Sequence, residues 1–240
     1  MNKNFVELAK KTHQLSNKLV DYSCIEKINS VHNVGKRVQM CVSTTLILDT
    51  LSAYAEYCKS LDQDLIESKV SRSLLTRYIY ESYVNFLYIF AVKKGEMQTR
   101  AKAFYHYGDY KKVRLQKKDE LKSEEEWRKY VSKKSRGSQW HGKTFKDICE
   151  EVKYSNTIYQ ILSQFTHPGI FTLERISNSD LFKGIIEDSI LFTSSSVCDM
   201  LAHANKLKLY GLKQNQKNEK EIKYLVLQHS KFLENLKNKN

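Results

Sequence analysis

The chain has 240 residues, 41% of them hydrophobic, with one proline, eight glycines and a net charge of +13 from 40 Lys and Arg against 27 Asp and Glu. That length can bury a core without disulfide or metal support, whereas so few Gly and Pro residues cannot supply the turn every ten or so residues that a β-sandwich or barrel needs. The longest unbroken apolar run, Phe86 to Val92, falls far short of the roughly 20 residues that cross a bilayer. Met1–Glu7 has no apolar run of the signal-peptide kind, so the expectation is a cytoplasmic all-α protein, a single bundle of about seven or eight helices.

Residues 3–22 carry Phe5, Leu8, Ala9, Leu15 and Leu19 at helical spacing, and 36–60 repeat the pattern with Val38, Cys41, Val42, Leu46, Leu51 and Tyr54. A third helix is predicted from about Leu65 to Lys93, apolar nearly all round after Tyr78, as befits the centre of a bundle. A fourth starts near Glu96 and continues to Lys134, followed by a Gly- and Ser-containing loop over 135–144. Thr144 and Asp147 then open a helix in the Ser/Thr-x-x-acid pattern that reaches about Lys153. Another helix spans 155–166 and stops at Pro168; an irregular stretch over 169–180 leads to helices at about 181–209 and 217–237. Seven of the glycines, at 35, 95, 137, 142, 169, 184 and 211, fall near predicted helix ends, leaving Gly108 inside a helix. The motifs lie at about 70–170 of a bundle over 1–210, and the basic helix over 211–240, approached through a lysine-rich stretch, is expected to pack loosely.

The five cysteines are odd in number and widely spaced, which reads as reduced, mostly buried thiols rather than a zinc or redox pair. Of the 40 basic residues 32 are lysine, which fits either a compositional bias or attraction to a polyanion such as RNA or DNA. Between Lys111 and Lys146 there are 13 Lys and Arg against five acids, interleaved with Trp127, Tyr130 and Trp140. Lys111, Lys112, Arg114, Lys117, Lys118, Arg136, Trp140 and Lys143 are therefore the candidate nucleic-acid face, the alternative being a solvated helix and loop.

Three groups of side chains could carry chemistry. Arg77, Glu81 and Asn85 follow at i, i+4, i+8, one stripe of an otherwise apolar helix. A buried carboxylate there must pair or neutralise, so the stripe is either an ion pair that fixes packing or the polar floor of a cleft. Arg100 and His106 are six apart, which places them about 120° and 9 Å from one another on a helix, able to flank one cleft. Arginine can stabilise charge on a phosphate and histidine can move a proton near neutral pH, the two requirements for metal-independent RNA cleavage through the 2′-hydroxyl. Tyr159, Ser163 and His167, again at i, i+4, i+8, end at Pro168; His167 fits a cation at a helix C-terminus. No serine-hydrolase elbow, di-iron motif or nucleotide cradle is present in the sequence, so neither a metal nor a cofactor is expected. His203, four after Asp199, reads as a helix-surface pair, and His229 and His13 have no evident partner.

Arg77-x3-Glu81, Arg100-Ala-Lys-Ala-Phe104-Tyr-His-Tyr107-Gly108, Trp140-x-Gly142-Lys143 and Tyr159-x3-Ser163-x3-His167-Pro168 together resemble an uncharacterised bacterial family of all-helical proteins found at phage-defence or mobile-element loci. The resemblance covers roughly 70–170. It implies a polar cluster of Arg77, Glu81, Arg100 and His167, and a partner protein encoded at the same locus. More distantly the chain resembles the HEPN superfamily of helical ribonucleases and toxin or defence effectors, through the Arg-x5-His spacing of Arg100 and His106. Ala101 stands where those nucleases usually have a polar residue, and the motif lies mid-chain rather than late. That resemblance implies a metal-independent endoribonuclease active across a homodimer interface; the rival reading is a non-catalytic helical module whose basic face binds nucleic acid or a partner protein.

Overall fold

The computed structural model describes residues 3–62, 66–93, 95–105, 144–154, 179–213 and 216–237. They form α1 (Lys3–Leu19), α2 (Ser23–Asn29), α3 (Val34–Ser60), α4 (Ile66–Phe90), α5 (residues 95–105), α6 (Phe145–Glu151), α7 (Ser179–Lys206) and α8 (Gln216–Lys237). Among the described residues the extended pairing is limited to one isolated antiparallel bridge, Val20 to Leu212. The protein is an all-α bundle.

The amphipathic stripe of α1 buries Phe5, Leu8, Ala9, Leu15 and Leu19, whereas α3 and α4 are buried on most sides. These two lie against each other, and α7 packs on α4, α1 and α8. Tyr54, wholly buried on α3, ties three helices together: its hydroxyl lies 3.0 Å from the Ala9 carbonyl oxygen of α1 and 2.8 Å from Ser194 Oγ of α7. On α8, Ile222, Leu225 and His229 are buried. All five cysteines are free, and four of them are buried.

Helix starts follow local chemistry. Asn33 accepts a hydrogen bond from Lys36 N and caps α3; Thr144 and Asp147 form the reciprocal capping box at α6. The predicted helix over 3–22 breaks earlier, at Leu19, because the Asp21 carboxylate accepts from both the backbone and the hydroxyl of Ser23 and starts α2, an element the hydrophobic spacing does not reveal. Gly184 lies inside α7 rather than at a helix end, since α7 begins at Ser179. The end of α6 has the paired bonds of a Schellman turn: Tyr154 N donates to Cys149 O at 2.7 Å and Lys153 N to Glu150 O at 3.1 Å. Lys153 takes the left-handed conformation there, φ 58°. Predicted features over 106–143 and 155–178, including Gly108 and the helix at 155–166, lie outside the described residues.

Candidate functional site

A cleft of about 390 Å³ opens where α4, α5, α6 and α7 converge. Leu87, Ala91, Val92 and Val152 line it with apolar surface, and its polar lining comes from Arg100 and Glu151, from Asp199 and His203, and from Tyr83, Tyr154 and Lys153.

Arg100 is held from four directions. Its guanidinium carbon sits 4.0 Å above the centre of the Tyr88 ring. Nη1 donates to the Tyr88 carbonyl at 2.8 Å, and Nη2 to Glu96 at 2.9 Å and to Glu151 at 2.6 Å. Tyr88 lies in the last turn of α4, where a helix leaves carbonyls without backbone partners, so Arg100 caps α4 with a positive charge while joining α5 to α6.

Asp199 and His203, which also line the cleft, are one turn apart on α7. Nδ1 of His203 is 3.1 Å from the Asp199 carbonyl oxygen and 3.4 Å from its Oδ2. The Tyr83 hydroxyl donates to the same Oδ2, and the Tyr83 and Tyr154 rings meet edge to face at 5.1 Å. The hydrogen bond to Asp199 raises His203 above the ordinary histidine range, against an opposing effect of burial. Burial alone would raise the Asp199 carboxyl, but hydrogen bonds from His203 and Tyr83 outweigh it and hold the group below its usual value. Burial, reinforced by Tyr154 and Asp199, pushes the Tyr83 phenol up, so that Tyr83 stays protonated and donates.

Of the sequence-predicted residues, Arg100 lies in this cleft and Arg77 and Glu81 line another part of α4. Glu81 stands two residues from Tyr83, about 160° around the helix by the shorter way. Arg77 Nε donates to Glu81 Oε1 at 3.0 Å, and the Glu81 side chain is 35% exposed. The acid is thus not buried: the stripe it shares with Arg77 runs beside the exposed Leu74 and Tyr78, and water reaches the carboxylate. His106, His167, Lys111, Lys112, Arg114, Lys117, Lys118, Arg136, Trp140 and Lys143 lie outside the described residues.

Asp199 and His203 are the i, i+4 pair that the sequence suggests, each side chain 36% exposed, and Tyr83 of α4 and Tyr154, which follows α6, line the same cleft. Their i, i+4 spacing was visible in the sequence, but nothing in it joins Asp199 to Tyr83, 116 residues earlier.

Tyr83, Arg100, Glu151 and Tyr154 come from one contiguous part of the chain. A family of unknown function (DUF5677) matches residues 70–183. The DUF5677 segment agrees with the resemblance to an uncharacterised family over about 70–170, and it supplies one side of the cleft, while Asp199 and His203 follow it in the chain. No curated protein and no solved structure matches this chain.

Proposed function

We propose that the protein is a HEPN-like effector of the toxin or antiviral-defence type, a metal-independent endoribonuclease that holds an RNA phosphodiester against Arg100. The observation that carries this reading is that Arg100 of α5 and His203 of α7 both line one open cleft of about 390 Å³, a size suited to a nucleotide. The charge of +13 favours a polyanionic substrate. With the reading go a cytoplasmic location, a homodimer, a partner protein from the same locus, and proton-transfer roles for His106 and His167.

An incoming phosphate would compete with Glu151 for the guanidinium. Glu151→Gln is therefore expected to tighten binding of single-stranded RNA severalfold, measured by fluorescence anisotropy at fixed salt. Purified protein should degrade RNA in EDTA, and Arg100→Ala and His106→Ala should abolish the activity with the circular-dichroism spectrum retained. Activity that persists in both variants, or never appears, sinks the nuclease reading.

The second reading, a non-catalytic module that binds nucleic acid or a partner protein, is favoured by the bonds that already occupy Arg100. A guanidinium shared between Glu96, Glu151 and the Tyr88 carbonyl is a competent structural staple. RNA binding without cleavage would select it.

A further inference from the structure

We propose that His203 is the general acid of this cleft, with Asp199 as its positioning residue and an RNA phosphodiester as substrate; the inference rests on the nuclease reading above. Geometry assigns the roles. Nδ1 of His203 faces the Asp199 carbonyl oxygen and Oδ2, so Nε2 is the nitrogen left for a ligand in the cleft that His203 lines. Tyr83 fixes the carboxylate from the other side by donating to Oδ2. A carboxylate that orients an imidazole and keeps it protonated is the arrangement a proton donor requires.

The charged and titratable groups around the imidazole agree with this role. On its own helix Asp199 raises its proton affinity and Lys206 lowers it. From the other walls come Tyr83, Tyr154, Glu151, Arg100 and Lys153. Glu151 is engaged by Arg100, so Asp199 is the acid that faces His203 directly. The imidazole therefore holds a proton to higher pH than a free histidine, as a donor to a leaving group should.

In the step, the 2′-oxygen attacks phosphorus as the bond from phosphorus to the 5′-oxygen breaks. The 2′-hydroxyl proton passes to a base, the role that the nuclease reading gives to His106 or His167, and His203 Nε2 gives its proton to the departing 5′-oxygen. The products are a 2′,3′-cyclic phosphate and a 5′-hydroxyl end, with no change of oxidation state, and His203 regains its proton from solvent. The cation of Arg100 faces the charge that builds on the phosphoryl oxygens.

The test uses the full chain and a mixed-sequence single-stranded RNA oligonucleotide in EDTA, with initial rates followed from about pH 5 to about pH 9 across the histidine range. The wild-type rate should fall as pH rises through the raised His203 value. His203→Asn should lower the rate about 10²- to 10⁴-fold and remove that alkaline limb, and added imidazole should restore part of the activity to His203→Ala. Asp199→Asn should move the limb to lower pH, a shift that loss of structural support alone would not produce. Circular dichroism checks each fold, and His203→Gln replaces any His203 variant that does not fold. If the wild type cleaves RNA but His203→Asn stays within about threefold of it, against the 10²-fold minimum for a lost acid, the general-acid role falls and the nuclease reading stands. If the wild type yields no cyclic-phosphate product, both fall.

Discussion

Removing the Arg100 side chain should destabilise the protein by about 3 kcal/mol. The largest part is the charged hydrogen bond to the Tyr88 carbonyl, roughly 1.5–2 kcal/mol for a donor that is only 17% exposed. The pair with Glu151, itself 32% exposed, adds about 1 kcal/mol, and stacking on Tyr88 about 0.5 kcal/mol. The Glu96 pair, with a carboxylate 52% exposed, contributes no more than about 0.3 kcal/mol. Urea denaturation of Arg100→Ala followed by far-ultraviolet circular dichroism reads the sum. A cooperative chain of this size should lose roughly 6–12 °C in Tm. Coupling between Arg100→Ala and Glu151→Gln in a double-mutant cycle should be about 1 kcal/mol. Arg100→Lys keeps the charge but not the planar fork, and should recover about half of the loss. A change below about 1 kcal/mol for Arg100→Ala, less than one charged hydrogen bond, would refute the staple and leave the guanidinium free for a ligand. The value also sets how activity is judged, since rates of Arg100 variants must be compared at equal folded fraction.

Four further outcomes follow from other sites. Lys153→Gly should stabilise by about 0.5 kcal/mol, because release of the left-handed strain at φ 58° exceeds the extra freedom of glycine in the unfolded chain; differential scanning calorimetry would show a small rise in Tm. Burial holds His229 below the ordinary histidine value, so the unfolded chain binds the extra proton first and stability should decline as pH falls below about 6.5. His229→Leu should flatten that decline in pH-dependent urea melts; an unchanged slope would assign it elsewhere. His203 acts in the opposite sense: its folded value is raised by Asp199, so its contribution is complete below about pH 6.5 and is lost as pH rises through the raised value, a loss that Asp199→Asn should remove. Tyr54→Phe should cost about 1 kcal/mol, because Ser194 loses its donor across the α3–α7 contact.

The bundle itself was largely written in hydrophobic spacing. The all-round apolar stretch after Tyr78 identified α4 as central, and Thr144-x-x-Asp147 marked the start of α6. Spacing gave no sign of α2, which depends on Asp21 side-chain bonds to Ser23. Gly184 misled because a glycine is tolerated within a long helix held by tertiary packing. Arg100 was found from its residue type and place, but its neighbours were not, since Tyr88, Glu96 and Glu151 reach it from separate turns and from 51 residues away. Glu81 is open to water, not buried as its spacing predicts, because helical periodicity identifies an apolar surround on a single helix and not which stripe the rest of the fold leaves exposed.

The cleft has a divided origin along the chain. Residues 70–183 supply Arg100, Glu151 and the tyrosines, and α7, which begins inside that segment, runs past its end before Asp199 and His203 appear. A fragment cut to the matched segment would keep Arg100 and Glu151 and lack Asp199 and His203. It would also strip away the helix on which α4 packs, exposing Tyr80 and Tyr83 to solvent. Transplanting this site into another helical scaffold therefore requires the second half of α7 as well, and mixing two separately expressed fragments divided between Tyr154 and Ser179 would reveal whether the two halves can find each other.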